Sequence, residues 1–402
     1  MLNPRSDSCV TFYPFDMGAA LHRQGSSRLW VLNTSAATLW CLMDGTRDMH
    51  QLAADYGRRF DLEPDAARRD VDSMLSDFAQ RGVLEFDAGL SGSVETIKPN
   101  SGPVIEAKDS RRHPITFCVA GHWFRLLCGS DRLSAEWAAM VAPLVGDPDP
   151  GLPVVELVVM ADPDHTDHGK RFWCCREGRF TASGLPPESV LPHLVYQVLD
   201  RVSAKERHKL LLHAAVLALD DQAVLFAAPT GAGKSTLAAA LCESGWTYLS
   251  DELAIIDPHT LRVEPYAMPI VLKPGSVDAL TNIVPGLPER PVHLRDDGQQ
   301  LRYLMPDRVA LSGSFPIAAL VFPTYRPGEE NRVSSLDPLT TLQQLAATGS
   351  SDRPLNEADI KTLLSLAQLP AYELTMDDLD SAARAVDKIG HLEETFENFD
   401  SF

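Results

Sequence analysis

Residues 223–244 constrain this chain more than any other stretch. An apolar run, 223–227, leads into Ala228-Pro229-Thr230-Gly231-Ala232-Gly233-Lys234-Ser235-Thr236. An Ala/Leu-rich helix over 236–244 follows and stops at Gly245. Strand, glycine loop and helix in this order form the context of a phosphate-binding loop. Gly231 and Gly233 let backbone N–H groups turn inward without a Cβ in the way. The helix N-terminus adds partial positive charge. Lys234 is placed to reach β- and γ-phosphates, and the Ser235 hydroxyl suits Mg²⁺, which takes few protein oxygens alongside phosphates. The predicted nucleotide contacts are therefore Thr230, Gly231, Ala232, Gly233, Lys234, Ser235 and Thr236, with ATP and Mg²⁺ as cofactors. One position departs from the consensus: Ala228 stands where the first glycine belongs. Alanine tolerates most turns but not a strongly positive φ. A loop that binds nucleotide without turning it over, and a bare strand-to-helix turn, are the alternatives.

The next short apolar strand, Trp246-Thr247-Tyr248-Leu249, runs into Ser250-Asp251-Glu252. Two carboxylates at the C-terminal end of a strand in a doubly wound sheet sit where ligands bind. One can act as general base toward a hydroxyl, and the other can hold Mg²⁺. Ser235, Asp251 and Glu252 are thus the predicted metal ligands, and a solvated strand end is the plain alternative. His213 interrupts the apolar run 210–219. It reads either as a satisfied core histidine or as a group near the γ-phosphate. Lys273 follows Met268-Pro269-Ile270-Val271-Leu272 and reads as a phosphate or substrate contact or as a surface lysine. Asp162, Asp164, His165, Asp167 and His168, with Cys174-Cys175 after them, form a polar loop rather than a metal site, since adjacent strand residues face opposite ways.

At 402 residues the chain exceeds the ~250–300 at which one hydrophobic core stops growing. Residues 1–88 begin with strand-like runs. A cap at Asn33-Thr34-Ser35 then starts a helix, and two more helices follow before Val83-Leu84-Glu85-Phe86, a small winged-helix-like pattern. Residues 89–112 are rich in Gly, Ser, Pro and Asn and read as a flexible linker. Residues 113–205 alternate strands and helices as an α+β subdomain, 206–392 hold the nucleotide-binding domain, and 393–402 are an acidic tail. With 36 Lys and Arg against 55 Asp and Glu, the net charge is −19, which disfavours nucleic acid as a partner. No apolar run is long enough to span a bilayer, so no membrane partner is expected. The seven cysteines form no even framework, and the N-terminus lacks a signal-peptide layout, so the reading is cytoplasmic.

Two resemblances refine this. His213, the loop PTGAGKST, the segment GWTYLSDELAIID and MPIVLK are similar to HPr kinase/phosphorylase-related proteins, as are FPIAALVFPTYRPG and PAYELTMDDLDSA further on. That resemblance implies an α/β P-loop kinase-like domain in which His213, Lys234 and Asp251 are catalytic and Ser235, Asp251 and Glu252 hold the metal. The family usually carries Asp-Asp where this chain has Asp251-Glu252. The Glu-x-Arg-Gly segment of true HPr kinase/phosphorylases has no clear copy, so HPr is not implied as substrate. Separately, LWVLNTSAATLWCLMDGTRDMHQLAADYGRRF resembles PqqD-like peptide-recognition modules, the leader-binding elements of ribosomal peptide biosynthesis. Such modules take an extended peptide by strand addition, here in a groove between the N-terminal strands and helix 64–81.

Together the resemblances imply a kinase that captures the leader of a ribosomal precursor peptide and phosphorylates a Ser or Thr hydroxyl of it. Further maturation enzymes and self-association are compatible partners. A nucleotide-switched peptide chaperone without catalysis, or a small-molecule kinase, is the alternative.

Overall fold

The computed structural model describes residues 4–7, 9–85, 114–162, 171–349 and 353–390. The expected linker, the acidic tail, and Asp164, His165, Asp167 and His168 fall outside these residues. The chain divides into two compact units, 1–99 with 337–368 and 100–336 with 369–402.

The first unit opens with an antiparallel meander of Val10–Phe15, Gly18–Arg23 and Leu29–Asn33. Three helices follow. Thr34–Leu42 is capped by the Asn33 side chain, which accepts from the Ala36 N–H at 3.0 Å. Met49–Phe60 begins with a capping box between Asp48 and Gln51, and Pro64–Gln80 has its proline in the first turn. Each cap satisfies amide groups that the helix itself leaves open. Leu39, Leu52, Val71 and Phe78 are buried between helices and sheet, with Trp40 edge-on to Phe78 at 5.6 Å. The last strand, Leu84–Glu85, pairs with Arg5–Ser6 and stays apart from the meander.

A late segment completes this unit, whereas the sequence reading places all of 206–392 in the nucleotide-binding domain. Helices Pro338–Thr348 and Glu357–Leu366 belong with the N-terminal meander. The first packs along strand Leu29–Asn33. The Leu355 N–H donates to the Ser26 carbonyl at 2.9 Å, and Tyr13 feels the charges of Glu357 and Lys361. The central strand shows why a second layer is needed: Ala19, Ala20, Leu21 and His22 are all buried. Successive strand residues face opposite ways, so both faces of the sheet are covered. Ala19 and Leu21 face the three N-terminal helices, which leaves Ala20 and His22 on the face of Tyr13 and the late helical pair. That pair is an insertion: the Leu336 N–H donates to the Ala371 carbonyl at 2.8 Å, so the chain leaves and re-enters the second unit at one point.

The second unit contains a five-stranded sheet ordered Arg179–Leu185, Phe172–Arg176, Val154–Ala161, His122–Cys128, Ile115–Val119. Helices Asp131–Met140 and Pro187–Lys205 belong to the same unit. The larger sheet is mixed, not doubly wound. Strand Gln222–Ala227 runs antiparallel to Ala214–Leu219 and parallel to Phe315–Tyr325. Thr247–Ser250 lies antiparallel on the far side of Ala214–Leu219, and Ala371–Met376 lies parallel to Phe315–Tyr325. The apolar run 210–219 is two strands, not one. Leu210–Leu212 pairs with Ala254–Ile256, whereas Ala214–Leu219 pairs with Gln222–Ala227, so the chain changes neighbours at His213. Among the described residues, no helix is long and apolar enough to cross a membrane.

Candidate functional site

Strand directions assemble the site. Gln222–Ala227 and Thr247–Ser250 both run antiparallel to Ala214–Leu219, so their C-terminal ends lie at the edge where that strand begins. The glycine loop 228–233, Asp251 and His213 therefore share one edge, although the sheet is not of the doubly wound type. Phe315–Tyr325 and Ala371–Met376 end at the same edge.

The loop is held by its glycines. Gly231 has φ +92° and Gly233, which caps helix Lys234–Glu243, has φ +94°. A Cβ on Gly233 would stand 2.4 Å from Met376 Cε, so a larger residue here would have to displace the Met376 side chain as well as adopt a strained backbone. Ala228 is buried and is not among the residues with positive φ. The consensus glycine is therefore dispensable in this backbone. Thr230 and Gly231 are exposed, while Ala232, Gly233 and Ser235 are half-buried. Thr236 is engaged elsewhere: its hydroxyl donates to Ser276 Oγ at 2.8 Å, tying the loop helix to Pro274–Leu280.

Lys234 is buried, and its Nζ donates to the carbonyls of Ala228 and Pro229. Burial pulls its ammonium below the ordinary lysine range, with the charge of Lys273 adding to the effect and Asp251 and Glu252 opposing it. Asp251 is 4% exposed. Burial, and then the charge of Glu252, push its carboxyl up to about 6. The Val271 N–H, 3.2 Å from Oδ2, the Ser235 hydroxyl and Lys234 pull the other way. Asp251 Oδ1 is buried with no hydrogen-bond partner. An orphaned carboxylate oxygen is costly unless protonated or matched by a cation. With the Ser235 hydroxyl beside it, this donor set suits a hard ion such as Mg²⁺. Among the described residues no group of three His, Cys, Asp or Glu could hold a metal alone.

Glu252 pairs with His213, whose Nδ1 lies 3.3 Å from the carboxylate and 3.2 Å from the Glu252 carbonyl. Burial works to raise Glu252, but His213, Lys234 and Arg295 hold it below the ordinary glutamate range. His213 is half-exposed rather than sealed in the core. Lys273 stands just before Pro274–Leu280, with no side-chain cap bond, directly after the strand whose Val271 amide holds Asp251. Sequence reasoning missed Arg295, between His293–Leu294 and Gln300–Leu304, and the pair Tyr325 and Met376 beside Gly233. Nothing local marks them, because turns and strand ends carry no period. Of the polar cluster, the described Asp162 is buried just after Val154–Ala161. Cys174 and Cys175 are buried as well, and burial raises the Cys174 thiol to about 12.

The first unit holds a separate groove, a cavity of about 370 Å³ along the edge strand Leu29–Asn33. Tyr56, Asp70, Met74 and Arg81 line it, and so does Gln343 of the inserted helix.

Two family models match parts of the chain. Residues 1–84 match the family model of coenzyme PQQ synthesis protein D (PqqD), and residues 190–267 match that of the SynChlorMet cassette protein ScmC. The second match spans the glycine loop and Asp251. No curated protein matches the chain. Among solved structures, the Hpr(Ser) kinase/phosphatase from Coxiella burnetii matches with 10% identity over 45% of this chain and 88% of that one, at a TM-score of 0.24.

Proposed function

We propose, on the match of residues 1–84 to the PqqD family model, that the chain captures a ribosomal precursor peptide there and phosphorylates a Ser or Thr hydroxyl of it with ATP. The observation that carries the chemistry is Asp251: a buried carboxyl with one oxygen unpartnered, at the same sheet edge as a buried lysine and a glycine loop. Asp251 takes the proton of the peptide hydroxyl. Lys234 brings positive charge to the loop, and the amides of 231–235 at the helix N-terminus hold anionic oxygens. Ser235 and Asp251 are the residues that would hold Mg²⁺. Glu252 and His213 fix one another and so keep Asp251 facing the loop. ATP supplies the transferable phosphoryl group and Mg²⁺ offsets its charge.

Capture raises the local concentration of an otherwise weakly held hydroxyl. Strand addition along Leu29–Asn33 uses backbone hydrogen bonds, so the groove accepts an extended segment. The test is incubation of the full chain with ATP, Mg²⁺ and short peptides encoded near its gene, read by mass spectrometry. A phosphoryl increment lost in Asp251→Asn is the expected result. No increment with the unaltered chain, or an equal one with Asp251→Asn, overturns the proposal. Tight nucleotide binding without a phosphopeptide would point instead to a switched chaperone.

A further inference from the structure

Strand order along the site edge gives the glycine loop two unlike sides. On one side, across Ala214–Leu219, stand His213 and Asp251. On the other, the adjoining strands Phe315–Tyr325 and Ala371–Met376 end at Tyr325 and Met376. Neighbouring strands are ~4.8 Å apart, so Asp251 lies about two strand spacings from the loop strand and Tyr325 about one. If the reacting phosphate faces Asp251, as the function proposed above requires, the nucleoside leaves the loop on the opposite side. Phosphates laid over the loop leave it no other direction along this edge.

That side presents an aromatic ring. Tyr325 is 52% exposed at the end of an otherwise largely buried strand. Its Cβ would be 3.7 Å from a Cβ on Gly233, so it adjoins the last residue of the loop. The ledge beneath it is rigid. Tyr325 pairs in register with Met376, and the Arg326 N–H donates to the Met376 carbonyl at 2.9 Å. Asn331 then staples the two strand ends. Its Oδ1 accepts from the Asp377 and Asp378 amides at 2.7 and 3.2 Å, and its Nδ2 donates to the Asp378 carbonyl at 2.7 Å. Met376, 2% exposed, packs under Gly233 and closes the ledge against the loop.

We propose that the ring of Tyr325 is the platform on which the base of the bound nucleotide stacks. Stacking offers a π-face to any base, so the platform adds affinity without choosing among bases. This subsite rests on the kinase reading of the loop, and the two can be separated by ligand. The full chain is titrated calorimetrically, with Mg²⁺ present, against AMP-PNP and against inorganic tripolyphosphate, which has phosphates but no base. Tyr325→Ala is expected to weaken AMP-PNP roughly 5- to 100-fold, leaving tripolyphosphate unchanged. Tyr325→Phe keeps both affinities. Unchanged AMP-PNP affinity in Tyr325→Ala, or equal loss of both ligands, overturns the platform while the loop remains a phosphate site. Failure of the unaltered chain to bind either ligand overturns the phosphate site and the platform with it.

Discussion

Gly233→Ala tests the loop geometry directly. Two costs follow from the structure. Alanine at φ +94° is strained by ~1–2 kcal/mol. Its Cβ would also stand 2.4 Å from Met376 Cε, the far end of a flexible side chain that can rotate away, so the added crowding is about 1 kcal/mol, the low end of overpacking. The sum is ~2–3 kcal/mol. Gly231→Ala is the internal control, because it has φ +92° with no atom within 4 Å of the added Cβ. It should cost only the conformational part. Met376→Leu removes the clashing methyl at nearly constant volume and alone should cost under ~1.5 kcal/mol. In a double-mutant cycle read by urea denaturation of the second unit, Gly233→Ala and Met376→Leu should couple favourably by about 1 kcal/mol, leaving the conformational cost in place. Equal destabilisation by Gly231→Ala and Gly233→Ala, or complete rescue by Met376→Leu, would refute this reasoning.

Ala228→Gly restores the consensus loop yet should leave AMP-PNP affinity within twofold, since Ala228 already sits without positive φ; it should lower stability by ~0.5–1 kcal/mol, measured by denaturation, because glycine frees the unfolded chain. The second concerns acid. Glu206 is held down to about 2 by His122, 2.6 Å away, and Lys209, 3.0 Å away. A depressed carboxyl gives stability that is full above its unfolded value, near 4.5, and lost as pH falls toward 2. Glu206→Gln should therefore lower stability at pH 7 and flatten its loss between pH 4.5 and 2; an unchanged acid slope would show that Glu206 contributes nothing.

The local shape of the loop was legible because it occupies one short stretch. Gly231, Gly233 and Lys234 are adjacent in sequence, and strand, turn and helix follow one another without long-range help. Asp251 was legible for a similar reason, as the end of the next strand. Sheet topology was not. The run 210–219 is apolar on both sides of His213, so hydrophobicity could not show that Leu210–Leu212 and Ala214–Leu219 pair with different strands. Arg295, Tyr325 and Met376 reach the site through non-local pairing, which no local pattern records. The helices Pro338–Thr348 and Glu357–Leu366 carry apolar faces, but such faces do not say which sheet they cover. Only the two-sided burial of Ala19 to His22 shows that the meander needs them.

That late helical insertion sets a schedule for synthesis. The meander and its three helices leave the ribosome well before the segment that covers their second face, which ends at residue 368. At ~5–20 residues per second, the intervening stretch takes roughly 15–55 s to make. Throughout that interval the face bearing Ala20 and Leu29 is bare in the nascent chain, and any extended apolar segment nearby can occupy it. A fragment ending near residue 88 would keep that face bare permanently. The meander is therefore made long before the segment that finishes it.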